Sequence, residues 1–390
     1  MASETQSPLS PTQSTLAAAD AARMRRALLL GERGRCTAAP NPWVGCVLVR
    51  DGQVIGEGYH RRAGEPHAEA WALAAAGELA RGANAYVTLE PCAHVGRTPP
   101  CVDGLIQAGV SRVVVGVLDP DPRVAGRGVQ RLRAAGIATN VGVCAAEAAA
   151  SLTPYLHQRR TGRAYCLVKA AISLDGRTAA ADGSSQWITG PSARADAHVL
   201  RSRSQAIIVG AGTALADTPS LTVRDIPNTP DRQPLRVLLD ARGRVPARGP
   251  LFDSSLAPTL VVTLAGVERG IRAAWQAAGA EVAVVPTAPD GGLDLTAVLT
   301  LLGDRGVLQA LVEGGATTAG AFVRAGLVSR LVLYVGPQTL GEAGRPLFAG
   351  PGPMRMADAG LWRLLGARQL GNDARLEYEP CVAGSEEALV

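Results

Sequence analysis

EPHAEAW, residues 65–71, sets a histidine and a glutamate two positions apart directly after a proline. It is read together with TLEPCAHVGRTPPC, residues 88–101, where Cys92 and Cys101 stand nine positions apart. Residues two apart on a helix are separated by about 200° of rotation, so His67 and Glu69 cannot address one point on a helix side. They can do so at a helix N-terminus, and Pro66 favours a helix start there. The second segment has the same form: the strand AYVTLE, then Pro91, then Cys92 at an expected short-helix start. Two helix N-termini facing one site favour thiolate over thiol, and thiolate is the form that ligates zinc.

His67, Cys92 and Cys101 make three ligands, the pattern of catalytic zinc; structural zinc closes with four. His94 is a candidate fourth ligand and keeps a structural reading open. Glu69 argues for chemistry, because a carboxylate beside an open zinc position can shuttle protons for water. Zinc base deaminases carry H-x-E and then P-C-x-x-C, with the Glu as acid/base. HAE and PC match that pattern, but the second cysteine comes nine positions on instead of three.

Outward from this site the chain alternates helix and strand. AADAARMRRALLLGERG has helical spacing, CVLVRDGQVIGEGYH reads as a hairpin turning at Asp51-Gly52, and HAEAWALAAAGELARG is a helix ended by Gly82. Strand, helix, strand, helix and strand follow to residue 143, which predicts helices covering a largely parallel sheet. Residues 1–16 are expected as a disordered tail, 17–150 as a first domain and 151–162 as a connector. A second α/β domain is expected over 163–382, with strands from YCLVKAAIS to LVLYVGP, and a loose tail over 383–390.

The 390 residues carry a formal charge of +5 without a dense basic run, which does not point to a nucleic-acid partner. No apolar run reaches the roughly 18 residues of a membrane span, and the N-terminus lacks an apolar signal core. Seven cysteines, an odd number, point to a reducing cytoplasm. Lys169 is the only lysine. Either it is a residue of a strong arginine bias, or a compact ammonium is needed where a planar guanidinium would not fit.

PNPWVGCVLV, GEGYHRRAGEPHAEAWAL, YVTLEPCAHVGRTPPCVDGLIQAG and VVVGVLDPDPRVAGRG, in this order over about residues 20–145, strongly resemble the deaminase half of the bacterial bifunctional riboflavin-biosynthesis family. In that family the long cysteine spacing is the usual form. VKAAISLDGRTAAADGSSQWITG, LRSRSQAIIVGAGTALADTPSLTVR and LVEGGATTAGAFVRAGLVSRLVLYVGPQTLG look like its reductase half. The resemblance implies a cytidine-deaminase-like α/β/α layered domain followed by a dihydrofolate-reductase-like α/β domain. It implies one zinc on His67, Cys92 and Cys101, with Glu69 as proton shuttle. The deaminase would act hydrolytically on 2,5-diamino-6-(5-phosphoribosylamino)pyrimidin-4(3H)-one, with Asn41 at the pyrimidine edge and His60 and His94 lining the pocket. The plainer and less favoured reading of Asn41 is a turn former between prolines.

In the second domain the resemblance implies NADPH on Ala171, Trp187, Thr213, Asp217 and the run Gly315, Ala316, Thr317, Thr318, Ala319, Gly320 and Ala321. The hydride would reduce the ribosyl group of 5-amino-6-(5-phosphoribosylamino)uracil to ribityl. Substrate contacts would be Ser185, Arg201, Leu221, Arg224 and Glu313, with both arginines suited to the 5-phosphate through bidentate guanidinium bonds. Lys169 is expected to point into this pocket. Taken alone, Gly314-Gly315 before a helix is more commonly a tight strand-to-helix turn. The family's polar cofactor contact after Asp240 is replaced by Ala241. A homo-oligomer through the second domain is expected, with small-molecule substrates and no membrane partner. The rivals are a nucleic-acid base deaminase, which needs a basic phosphate-binding face, and a non-catalytic zinc module, which needs His94 as a ligand.

Overall fold

The computed structural model describes residues 11–96, 99–226 and 232–381. The chain divides into two compact units, Met1–Thr161 and Gly162–Val390. Unit 1 runs α1 (Pro11–Glu32), β1 (Gly45–Arg50), β2 (Gln53–Tyr59), α2 (Ala68–Ala76), β3 (Asn84–Leu89), α3 (Cys101–Ala108), β4 (Arg112–Val117), α4 (Arg127–Ala134), β5 (Ala138–Val141) and α5 (Ala145–Thr161). Asp51 and Gly52 take φ of 50° and 75°, the twist a two-residue hairpin turn demands, so β1 and β2 pair there.

The five strands lie in the order β2-β1-β3-β4-β5. β1 is antiparallel to both neighbours, while β3, β4 and β5 are parallel, so only half of the sheet is parallel as expected. One face packs Val47, Val49, Tyr86 and Val114 against Met24 and Ala27 of α1. On β2, a Cβ at Gly58 would lie 2.2 Å from the Ala68 carbonyl and one at Gly56 2.3 Å from that of Ala72. Glycine at both positions lets α2 rest directly on the strand, which fixes where His67 enters the helix.

Three expectations for unit 1 are corrected. Helix α1 already starts at Pro11, a residue suited to the first helical position, so residues 11–16 of the expected tail are helical. Helix α2 stops at Gly77 (φ 54°) rather than Gly82, and a single 3₁₀ turn fills the interval. Residues 151–161 of the expected connector are the second half of α5, with Leu152, Tyr155 and Leu156 buried. Residues 1–10 and 383–390 of the expected tails lie outside the described residues.

Unit 2 runs β6 (Tyr165–Ile172), β7 (Arg177–Ala179), α6 (Pro191–Ser202), β8 (Ala206–Gly210), α7 (Ala211–Asp217), β9 (Leu235–Leu239), β10 (Thr259–Thr263), α8 (Arg269–Ala277), β11 (Glu281–Val284), α9 (Leu295–Asp304), β12 (Gln309–Val312), α10 (Ala316–Arg324), β13 (Arg330–Val335), β14 (Arg345–Pro346), β15 (Trp362–Leu370) and β16 (Asp373–Pro380). Nine strands form one sheet in the order β11-β10-β9-β8-β12-β6-β13-β16-β15. The seven from β11 to β13 are parallel, and β16 and β15 close the sheet antiparallel. β12 enters between β6 and β8, which reverses the winding direction and opens a crevice at the carboxyl ends of these three strands. Cys166, Val168, Ile208 and Val237 pack beneath Leu299, Leu302 and Phe322 on one face. Ile207, Leu238 and Val261 pack with Trp275 on the other, where Leu167 also meets Ala197 and Leu200 of α6.

Candidate active sites

His67 is the N-cap of α2 and Cys101 the first residue of α3. Cys92, expected at a helix start, lies instead in extended chain, because Gly96, Pro99 and Pro100 delay the helix to Cys101. Two helix N-termini therefore do meet, through His67 and Cys101. His67 Nδ1 lies 3.2 Å from Cys101 Sγ and 3.6 Å from Cys92 Sγ, and the three donors fall within 4.8 Å of one another. Tetrahedral zinc with ordinary N and S bonds needs donor separations of about 3.6 Å, so the arrangement fits the metal. The Cys101 thiol, hydrogen-bonded to Cys92, holds the Cys92 thiol down to about 4, against burial and with help from His67.

No fourth His, Cys, Asp or Glu donor joins the cluster among the described residues. His94 lines the same cavity, with Nδ1 buried and unpartnered, but stands outside the three-donor group. Three ligands with an open position are the catalytic pattern. Glu69, 3% exposed, opens into this cavity of ≈ 490 Å³. Burial pushes its carboxyl up, with His67 partly opposing. Asn41 lines the cavity too, and its Nδ2 lies 3.0 Å from His60 Nε2. His60 Nδ1 is 3.2 Å from the Pro66 carbonyl. That carbonyl can only accept, so Nδ1 carries the proton, Nε2 accepts from Asn41, and the Asn41 Oδ1 acceptor is left for the cavity. Burial lowers the His60 pKa, which keeps this neutral tautomer.

The far wall of the cavity was not assigned from sequence. Asp119, Asp121 and Arg123 follow β4, and Tyr155 and Arg159 come from α5. The Tyr155 hydroxyl donates to Asp119 at 2.9 Å, and burial pushes the Asp119 carboxyl up. Arg123 grips Asp121 at 3.0 and 2.7 Å and is the main cause of its pKa of about 2. DPDPR after a strand was a usable signal. Nothing local marks Tyr155 or Arg159, which lie in the stretch that reads as a linker.

In unit 2, Arg201, Lys169 and Glu313 come together beside β12. Glu313 follows β12, and Arg201 is on α6. Arg201 Nε and Nη2 donate to the two Glu313 oxygens at 2.7 and 2.8 Å, and Nη1 donates to the Thr222 carbonyl at 2.9 Å. The forked edge expected to grip a phosphate thus lies on the Glu313 carboxylate in this structure. Arg224 keeps 53% of its side chain exposed. Leu221 is buried with φ 50°, in the loop that Arg201 holds. Lys169 is half-buried on β6, 5.6 Å from the Tyr334 ring centroid. Burial lowers its pKa, Glu313 opposes, and Arg201 adds to the lowering.

Among the expected cofactor contacts, the Thr213 hydroxyl accepts from Gly315 N at 2.9 Å, which ties α7 to α10. A Cβ at Gly314 would lie 2.5 Å from Thr318 Cβ and one at Gly210 2.2 Å from Thr318 Oγ1, so packing within the chain accounts for those two glycines. Helix α10, which holds Ala316, Thr317, Thr318, Ala319, Gly320 and Ala321, turns its first N–H groups out at Gly315, a fit for a cofactor phosphate. Ala171 is half-buried near the end of β6, and Ser185 half-buried before Trp187. Trp187 is 61% exposed, with the Arg194 guanidinium 4.4 Å above its ring. Asp217, exposed at the end of α7, is raised by burial against the pull of Arg345. The Asp240 carboxylate is taken up by Arg242 N and Val245 N, and Ala241 packs on the core.

Residues 18–117 match the model of the cytidine and deoxycytidylate deaminase zinc-binding region, and residues 164–376 that of the RibD C-terminal domain. The riboflavin biosynthesis protein RibD of Escherichia coli K12 is 45% identical over 376 residues, covering 90% of this chain and 97% of its own. The structure of Acinetobacter baumannii RibD superposes with a TM-score of 0.85 at 40% identity, over 94% of this chain and 100% of that one. The diaminohydroxyphosphoribosylaminopyrimidine deaminase/5-amino-6-(5-phosphoribosylamino)uracil reductase of Thermotoga maritima does so with a TM-score of 0.83 at 31% identity and the same coverage. Among the described residues no helix is long and apolar enough to cross a membrane. A His/Cys/Cys cluster in the first unit and a reductase sheet in the second, matched along nearly their whole length by such relatives, make this chain a member of the RibD family, bifunctional zinc- and NADPH-dependent deaminase–reductases of riboflavin biosynthesis.

Proposed function

We propose that unit 1 deaminates 2,5-diamino-6-(5-phosphoribosylamino)pyrimidin-4(3H)-one and that unit 2 reduces the ribosyl group of the resulting 5-amino-6-(5-phosphoribosylamino)uracil. The observation that carries this reading is the buried Glu69 carboxyl in one cavity with the His67, Cys92 and Cys101 donors. These three hold zinc, which when bound supplies the Lewis acidity that makes water nucleophilic near neutral pH. Glu69 takes a proton from the attacking water and returns it to the departing amine nitrogen, so that ammonia leaves. Its burial favours the protonated form that the second transfer needs. Asn41, held by His60, offers Oδ1 to the pyrimidine edge, and His60 and His94 line the pocket.

In unit 2, NADPH when bound supplies the hydride. Ala171, Trp187, Thr213, Asp217 and Gly315 to Ala321 hold it. Lys169, Ser185, Arg201, Leu221, Arg224 and Glu313 hold the substrate, with exposed Arg224 on the phosphate. Arg201 also orients the Glu313 carboxylate.

The test is Glu69→Gln in the full chain. Ammonia release should fall by about 10² or more while zinc content and NADPH oxidation with the aminouracil substrate persist. Deamination at the wild-type rate would refute the reading. We further assign a homo-oligomer formed through unit 2. β15 is an open edge, and Leu364 and Leu365 are 52% and 39% exposed. Light scattering should report a monomer for Leu364→Asp and an oligomer for wild type. The compartment we assign is the cytoplasm, in keeping with an odd count of seven cysteines; cell fractionation tests it.

A further inference from the structure

Glu90 ends the strand-to-loop turn two residues before Cys92, and it is 3% exposed. Its carboxylate receives four backbone N–H groups, all from the far wall of the cavity or the helix behind it. Oε2 accepts from Asp119 N at 3.3 Å and Gly126 N at 2.9 Å, and Oε1 from Gly128 N at 2.9 Å and Val129 N at 3.2 Å. Helix α4 has Gly126 as its N-cap and no capping side chain of its own. Glu90 fills that role from the neighbouring strand, and a carboxylate at a helix N-terminus is also favoured by the helix dipole.

A second observation points the same way. A Cβ at Gly128 would lie 2.1 Å from the Pro91 carbonyl and 3.1 Å from Glu90 Cγ. Only glycine lets α4 close onto the Glu90–Pro91 backbone. The arm that carries Cys92 and the wall that carries Asp119 and Asp121 are thus latched by one side chain and one missing side chain.

We propose that Glu90 is a positioning residue for deamination: it fixes the Asp119–Val124 wall against the Cys92 arm and so sets the width of the cavity at its metal end. The inference rests on deamination taking place in this cavity, which the Glu69→Gln experiment tests separately. In Glu90→Gln the carboxamide keeps one acceptor oxygen and turns an NH2 toward two N–H donors, so half of the latch becomes repulsive. None of the four N–H donors belongs to a metal ligand or to Glu69. Loss of the wall therefore weakens binding of the substrate more than the proton transfers.

The experiment measures KM and kcat for ammonia release by Glu90→Gln and Gly128→Ala in the full chain, with zinc content by elemental analysis. NADPH oxidation with the deaminated substrate reports on the integrity of unit 2. The expected result is a KM raised about tenfold, a kcat within about threefold of wild type, and stoichiometric zinc. That pattern in either variant supports the proposal. If neither gives it, the proposal is overturned: unchanged KM would make the latch idle, and loss of zinc or of soluble protein would make Glu90 a prop of the fold. Wild-type deamination by Glu69→Gln would instead remove the reading beneath it.

Discussion

Glu313→Gln in unit 2 removes the carboxylate that two cations share. Arg201 grips it through two bonds of 2.7 and 2.8 Å, with side-chain exposures of only 14% and 9%, and Lys169 adds its charge. Stripping one partner from a buried ion pair costs about 3–5 kcal/mol. The lowered pKa of Glu313 leads to the same scale. Burial works against the charged form, but Arg201 first and then Lys169 and His198 outweigh it and take the carboxyl from 4.5 to about 2. At about 1.4 kcal/mol per tenfold, that difference is about 3 kcal/mol. The two routes agree, and for a unit of this size the cost corresponds to a fall in Tm of about 6–12 °C. Because the folded pKa lies below the unfolded one, the carboxylate stabilises fully above the ordinary value and its contribution fades as pH falls toward 2. The gap between wild type and Glu313→Gln should therefore be full at about pH 7 and mostly closed by about pH 2. Scanning calorimetry of the full chain reads it, in the transition that reductase ligands shift. A gap below about 1 kcal/mol at neutral pH, the scale of a surface pair, would refute the reasoning. So would a gap that does not change with pH.

Lys169→Arg should lower reductase turnover by about tenfold or more, since a planar guanidinium does not reproduce a compact ammonium in the field of Glu313 and Arg201; full NADPH oxidation would remove any special role for the ammonium. Chelation should abolish ammonia release and spare reduction of the aminouracil, because all three donors lie in unit 1; deamination by verified metal-free protein would contradict the zinc assignment. Arg236→Met should cost unit 2 at least about 3 kcal/mol in denaturant titration. Its guanidinium, fully buried, donates to the carbonyls of Ser220, Pro250, Asp253 and Ala257, and a thioether replaces none of these bonds.

What could be read from sequence was what neighbouring residues dictate. Pro66 and Pro100 mark the helix starts that present His67 and Cys101, and Asp51-Gly52 marks its turn. The misplacement of Cys92 at a helix start came from weighing one proline and not the Gly96, Pro99, Pro100 series after it. Where partners are distant, local pattern failed. Arg201 and Glu313 are 112 residues apart, and nothing near Arg201 foretold that its fork was engaged. Helix α5 carries Pro154 inside and alternates no clear apolar stripe, so it read as a connector although it brings Tyr155 and Arg159 to the cavity. The β15–β16 hairpin escaped because β15 buries neither face; its Gly371-Asn372 turn is the local signal that was there to be read.

The late entry of β12 into the middle of its sheet also orders events during synthesis. β6 and β8 have no hydrogen-bonded contact until Leu311 lies between Leu167 and Ile207, so the second sheet stays split while about 150 residues are added after unit 1 ends. Every strand of unit 1 has been made by Val141. At about 5–20 residues per second the ribosome holds a finished first unit for roughly 8–30 s before the second can close. On each nascent chain every strand and metal ligand of the deaminase is therefore made before the reductase has a complete sheet.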